Sequence, residues 1–362
     1  MRDLMRDTKW KKRLGYAGLV SAAALALVTS QGMAQDGEQS LLAQARGLFS
    51  ALPDVKPSDD PVAKSRVELG KALFFETRAS SDGRISCASC HNPTYYGTDA
   101  LSLSIGVQGK KLPRNAHTVF NTHLLVSQHY GGNRASVEEQ AEKAVTSPVA
   151  YGNRSFEEFE GRLRTLGYDA WFAKSFPGEA QPINAKNWAV AIGAFERTLV
   201  TPAPFDQYLK GDTRAISAEA KAGLSKFIST GCAGCHAGVT VGGQSFQKFG
   251  LTQDYWLATG STEKELLGGR DQGRFHDTKK EEDRWIFKVP QLRNVAMTAP
   301  YFHDGSVAKL EDAVKIMGRL QLGTQLSDDD TKLIVAFLKT LTGQVPATFS
   351  TVPSLPPQAF MN

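Results

Sequence analysis

A pentapeptide that occurs twice constrains this chain more than any other feature: Cys87-Ala88-Ser89-Cys90-His91 and Cys232-Ala233-Gly234-Cys235-His236. The two copies use all four cysteines. In an oxidising compartment four cysteines suggest two disulfides, and Cys-x-x-Cys pairs can also be redox-active dithiols. Neither reading explains why a histidine follows each second cysteine. A tetrahedral zinc site built from both motifs would draw on loops about 140 residues apart and leave ligands in excess. The remaining chemistry is covalent haem attachment, in which the two thiols add across the porphyrin vinyl groups and the adjacent imidazole becomes the proximal iron ligand. The spacing therefore predicts two c-type haems and no disulfide.

The N-terminus sets the compartment. Lys9, Lys11, Lys12 and Arg13 precede an apolar run from Leu14 to Val28 and the small-residue stretch Gly32-Met33-Ala34. This pattern predicts a secretory signal peptide over residues 1–34, cleaved near Ala34, and export to the periplasm; an uncleaved anchor is the alternative. Residues 1–34 hold six basic and two acidic residues, so their removal takes the formal net charge from +5 to +1. The remaining Lys and Arg are interleaved with Asp and Glu, so no nucleic-acid footprint is expected.

An amphipathic helical pattern precedes each motif, with Val67, Gly70, Leu73 and Phe74 before the first and Ala220, Leu224, Phe227 and Ile228 before the second. Ser155-x-x-Glu158 opens a helix with Phe156, Phe159, Leu163 and Leu166, and Trp188, Ile192, Phe195 and Leu199 mark another. Ser327, followed by three aspartates, caps a last helix expected to end at Gly343. Strand signals are sparse. The expected fold is mainly α: an N-terminal haem domain over 35–200, a C-terminal haem domain over 201–344 and a Pro-rich tail over 345–362. The joint falls near Thr201-Pro202-Ala203-Pro204.

The sixth iron ligand separates electron carriers from catalysts. Candidates after the leader are Met297, Met317 and Met361, with His117, His123, His129, His276 and His303. Met317 shares a helical face with Leu310, Ala313 and Val314, which by itself reads as core packing. A lone histidine is more often a hydrogen-bonding residue than a ligand. Periodicity alone does not choose among them.

The stretches "LGKALFFETRASSDGRISCASCHNP", "PRNAHTVFN", "PAPFDQYLKGD", "GCAGCHAGVTVGGQSFQKFG", "FKVPQLRNVAMTAPYFHDGS" and "EDAVKIMGRLQLG" do carry further information. In this order the chain resembles the bacterial di-haem cytochrome c peroxidases and the related MauG-type enzymes, over about residues 48–345. The resemblance implies two cytochrome c-like domains with proximal ligands His91 and His236, the N-terminal haem being the peroxide site. It makes Met317 the sixth ligand of a high-potential C-terminal haem; MauG-type enzymes have tyrosine there. It also implies a calcium ion at Asn115, Thr298 and Pro300, whose hard oxygens suit that cation. Hydrogen peroxide as substrate, a small cytochrome or cupredoxin as electron donor, and a homodimer are further implications.

The N-terminal pocket departs from the family pattern. Where many members carry a displaceable histidine, this chain has Val107, and where they carry a glutamate it has Ala150. Gln140 is kept, and the inter-haem tryptophan position holds Tyr130. Cleaving peroxide requires moving a proton to the leaving oxygen, for which a positioned acid–base group supplies about 10²–10⁴ in rate. Tyr151, His117, Arg114 and Gln140 are the candidates to replace the missing carboxylate. The alternatives to peroxide turnover are a purely electron-transferring role and MauG-like oxidation of a dedicated protein partner.

Overall fold

The computed structural model describes residues 37–259 and 270–357. The leader at 1–34, its cleavage position and Met361 lie outside the described residues. The chain divides into two units, 1–47 and 48–362. In the first, residues 37–47 are helical. The second carries every site considered below.

Within residues 48–362 the principal helices are α1 (Pro61–Phe75), α2 (Val137–Val145), α3 (Phe156–Thr165), α4 (Asp169–Ser175), α5 (Ala185–Glu196), α6 (Pro204–Lys210), α7 (Ala218–Ser229), α8 (Leu310–Leu322) and α9 (Asp328–Lys339). One small antiparallel pair, β1 (Phe246–Lys248) and β2 (Ile286–Lys288), sets Phe246 opposite Lys288. Local sequence explains the helix starts. Asp60 accepts from the amides of Val62 and Ala63, with Pro61 in the first turn where its missing N–H costs nothing. Ser155 and Ser327 cap α3 and α9 through the amides of Glu158 and Asp330, as their sequences predict. The last helix stops at Lys339 rather than Gly343. Gly343 instead packs against the backbone of Thr201: a Cβ there would lie 2.2 Å from the Thr201 carbonyl oxygen.

The same helix crossing occurs twice. α1 crosses α5 with Gly70 against the Ala191 carbonyl and Phe195, and α7 crosses α9 with Gly223 against the Leu333 carbonyl and Phe337. A Cβ at either glycine would stand 1.9 Å from a backbone oxygen, so only glycine permits this approach. The first helix of each crossing runs just upstream of one Cys-x-x-Cys-His motif, and the second comes from downstream of it. Gly70→Ala and Gly223→Ala are each expected to force the helices apart and cost about 1–3 kcal/mol, as overpacking does. Chemical denaturation of each variant checks this, and an unchanged midpoint would rule the crossing out as a constraint.

The N-terminal core gathers Leu73, Phe74, Phe120, Phe159, Trp188 and Phe195, all essentially buried. Phe349, from the segment expected to be a tail, is buried in the same cluster and packs edge-on against Phe74 and Phe120. The stretch read as a joint is likewise fixed. Thr201 is buried and receives the side-chain amides of Asn121 and Asn294 at 3.0 and 2.9 Å. Beside it Asp206 and Arg293 form a fully buried ion pair at 2.7 Å, and Asp206 also accepts from the Leu52 amide. Among the described residues no helix is long and apolar enough to cross a membrane.

Candidate functional site: two cavities with a common wall

Two cavities of similar size, with about 1500 and 1580 Å³ of empty space partly open to solvent, lie one beside each motif. Cys90 and His91 line the first, and Cys232, Cys235 and His236 the second. Asn115, Ala116, His117, Thr118, Tyr130 and Lys288 line both, and so form the wall between them.

The motif residues are prepared for covalent attachment rather than for the alternatives. All four cysteines are free. Burial pushes the Cys87 thiol up to about 12 and those of Cys90 and Cys232 up to about 11, so in the chain alone they are neutral thiols. Among the described residues no three His, Cys, Asp or Glu side chains are grouped so that they could hold a metal ion. Cys87 to Cys90 form one helical turn, whose first amide is held at 3.2 Å by the Tyr151 hydroxyl. His91 Nδ1 lies 3.0 Å from the Gly97 carbonyl; a carbonyl only accepts, so Nδ1 carries the proton and Nε2 keeps its lone pair. Burial lowers the basicity of His91, and takes His236 down to about 4, so both rings stay neutral and able to ligate. Thiol pair, neutral imidazole and a cavity beside them fit a haem at each site.

In the C-terminal cavity, Met317 and His236 line the same space. Leu310, Ala313, Val314 and Gly318 of α8 line it as well, so the face that reads as core packing is the cavity face. Met297 is 46% exposed and does not line it. Asn115, Thr298 and Pro300 all border this cavity. The Asn115 side-chain N–H donates to the Leu101 carbonyl at 2.8 Å, leaving its Oδ1 as an acceptor.

The N-terminal cavity is lined by Gln140, Ala144, Ser147 and Ala150, and also by Arg114 and His117. Arg114 is committed elsewhere, in a paired contact with Asp271 at 2.6 and 2.8 Å. Val107 is buried in the wall beside Gly152 rather than facing the cavity. Tyr151, named as a catalytic candidate, does not line it either. Its ring packs edge-on to Phe159 and Trp188, and its hydroxyl lies 3.3 Å from Cys87 Sγ. The reason is that residues 144–152 form a tight turn, with Ala150 turned to the cavity and its neighbour to the core. Of the other histidines, His129 and His276 line this cavity, His303 the C-terminal one, and His123 neither.

Sequence reasoning missed two residues. Glu196, at the end of α5, is 6% exposed, lines the N-terminal cavity and makes no hydrogen bond with its carboxyl among the described residues. Burial, reinforced by the nearby Glu138, pushes its pKa up to about 8. Lys288, also nearly inaccessible, has its pKa pulled down to about 8 by burial. Charged residues inside the apolar runs "AIGAFERTLV" and "WIFKVP" were the available signal. In the common wall, the His117 and Tyr130 rings stack at 3.8 Å between centroids, and the Tyr130 hydroxyl donates to the Phe302 carbonyl at 3.2 Å.

A family profile described as di-haem cytochrome c peroxidase matches residues 64–214. Cytochrome c551 peroxidase of Pseudomonas aeruginosa is 41% identical over 308 residues, covering 84% of this chain and 86% of that protein. The methylamine utilization protein MauG of Methylorubrum extorquens is 34% identical, covering 95% of this chain and 97% of its own. Among solved structures, a MauG-like protein associated with microbial copper homeostasis superposes with a TM-score of 0.70 at 28% identity, covering 83% of this chain and 97% of that one. Sequence likeness on this scale along nearly the whole chain, carried by a mainly helical fold with one cavity beside each Cys-x-x-Cys-His loop, places the chain in the di-haem cytochrome c peroxidase family of oxidoreductases.

Proposed function

We propose that the chain is an exported di-haem c-type peroxidase. His236 and Met317 would hold a C-terminal haem and His91 an N-terminal one, with Tyr130 and His117 standing in the wall between the two sites. The overall reaction takes two electrons from a small cytochrome or cupredoxin and two protons, and converts hydrogen peroxide to two waters. The observation that carries this reading is the common wall: two cavities, one beside each Cys-x-x-Cys-His motif, that share a few lining side chains, two of them aromatic rings 3.8 Å apart.

When bound, the haems supply the electron-holding irons and the site of O–O cleavage. The chain's own residues supply the rest. Met317 offers a thioether, which favours the reduced iron and raises the potential as an electron-accepting site requires. The Gly97 carbonyl fixes the tautomer and orientation of His91. Ala150 holds no proton, and Glu196 takes over that role: at neutral pH it is a protonated acid in the N-terminal cavity, able to give its proton to the departing oxygen. Gln140 adds an amide that donates or accepts. A calcium ion at Asn115 Oδ1 and the Thr298 and Pro300 carbonyls would brace the C-terminal cavity next to the common wall.

The absence of a carboxylate at 150 favours a second reading, in which the pair of haems transfers electrons or oxidises a protein partner and turns over peroxide slowly. Steady-state peroxide reduction by the purified di-haem protein, with a small reduced cytochrome or copper protein as donor, separates the two. Cyanide is expected to bind the fully oxidised protein without prior reduction, because Val107 offers no ligand to displace. Reversible haem reduction without peroxide turnover would overturn the peroxidase reading.

A further inference from the structure

Lys288 closes β2, and its amide donates to the Tyr130 carbonyl at 2.7 Å, which ties it to the wall between the cavities. The residue lines both cavities yet is 1% exposed. Among the described residues the other buried cation, Arg293, is paired with Asp206 at 2.7 Å, and the partly buried Arg114 is paired with Asp271 at 2.6 Å. Lys288 has no carboxylate and no hydrogen-bond acceptor on its ammonium among the described residues. Burial alone acts on it, and no acid opposes the effect. His117 stands close enough for the charge of Lys288 to lower its basicity further.

An isolated buried ammonium costs several kcal/mol unless an anion compensates it. Replacing it with an apolar residue would be the simpler solution if nothing filled the cavities. A charge left unpaired by the protein, at the wall of two cavities, is suited to an anion that arrives with their occupant. A haem brings carboxylates in its propionates, and an ammonium is a compact point charge suited to one of them.

We propose that Lys288 is the counter-ion of a haem propionate at the wall between the two cavities, and that its positive charge raises the potential of the haem it pairs with. This rests on the di-haem reading and not on peroxide turnover. The pairing couples the cofactor to the backbone of Tyr130, so the same residue that neutralises the propionate also fixes the wall between the two sites.

The test is a spectroelectrochemical titration of each haem in the holoprotein, for wild type, Lys288→Met, Lys288→Gln and Lys288→Arg. Removing a cation stabilises the more positive ferric state. Methionine and glutamine are therefore expected to lower the reduction equilibrium of one haem about tenfold, equivalent to about 59 mV for one electron, and arginine to restore most of it. Thermal unfolding of the same holoproteins should show a lower Tm for methionine. If both potentials in the glutamine and methionine variants stay within about twofold of wild type, the proposal fails. The same holds if the methionine holoprotein becomes more stable, as relief of an unpaired buried charge would make it. Shifted potentials in a protein without peroxide turnover would uphold this inference while sinking the peroxidase reading, and the converse pattern would sink this inference alone.

Discussion

Glu196→Gln is expected to slow peroxide turnover by about 10²–10⁴-fold, the range for a positioned acid–base group, with little change in the spectra of the oxidised haems. The residue is a carboxyl kept neutral by burial, and it lines the same N-terminal cavity as Ala150. The sign of the pH dependence follows from the direction of its shift. With its pKa raised to about 8, Glu196 is protonated and competent below that pH, and turnover should fall as the pH rises through it. In the glutamine variant this alkaline limb should vanish along with the rate. A raised carboxyl also makes folding less favourable as pH rises from the unfolded value near 4.5 towards 8, because the unfolded chain releases a proton that the native state retains. Ala150→Glu should compensate partly, restoring turnover in the Glu196→Gln background. An unchanged rate in Glu196→Gln would remove the residue from the mechanism and leave Gln140 as the polar group to test next.

Met317→His should lower the potential of the C-terminal haem by at least a hundredfold in its reduction equilibrium, about 120 mV for one electron. The N-terminal haem spectrum should stay nearly unchanged. Axial-ligand identity moves haem potentials over about 0.8 V across proteins, so this is a conservative expectation. Donor oxidation should slow with it, since the accepting site would no longer lie above its donor. A redox titration that matches wild type would exclude Met317 as a ligand. Met297, the other methionine among the described residues, is half-exposed and does not line the cavity, although its neighbours Val295 and Thr298 do, so it offers a poor substitute.

The two aromatic residues of the common wall illustrate how far sequence reasoning reached. Tyr130 takes its place from the family pattern, whereas His117 is singled out in the sequence only as a candidate replacement for the missing carboxylate, not as the ring partner of Tyr130. Stacking depends on two loops, 115–118 and 128–132, meeting in space, and no local pattern encodes that meeting. Tyr151 shows the converse. It is adjacent in sequence to a cavity residue, yet the turn that carries both sends its ring into the core.

What the sequence determined by itself is the covalent and local part of this protein. Thiols beside an imidazole specify haem attachment through bond chemistry, and capping serines with apolar periodicity specify helices through nearest-neighbour hydrogen bonds and side-chain spacing. Phe349, from the Pro-rich segment 345–362, is buried in the N-terminal core, and the expected joint at Thr201 is held by Asn121 and Asn294 from distant loops. Only the tertiary structure decided which charged groups are kept from water. Glu196 and Lys288 look like ordinary helix-end and strand-end residues, and their altered acidities arise from desolvation by segments far away in the chain. Desolvation is a sum over everything packed around a group, so it exists only once the fold has closed.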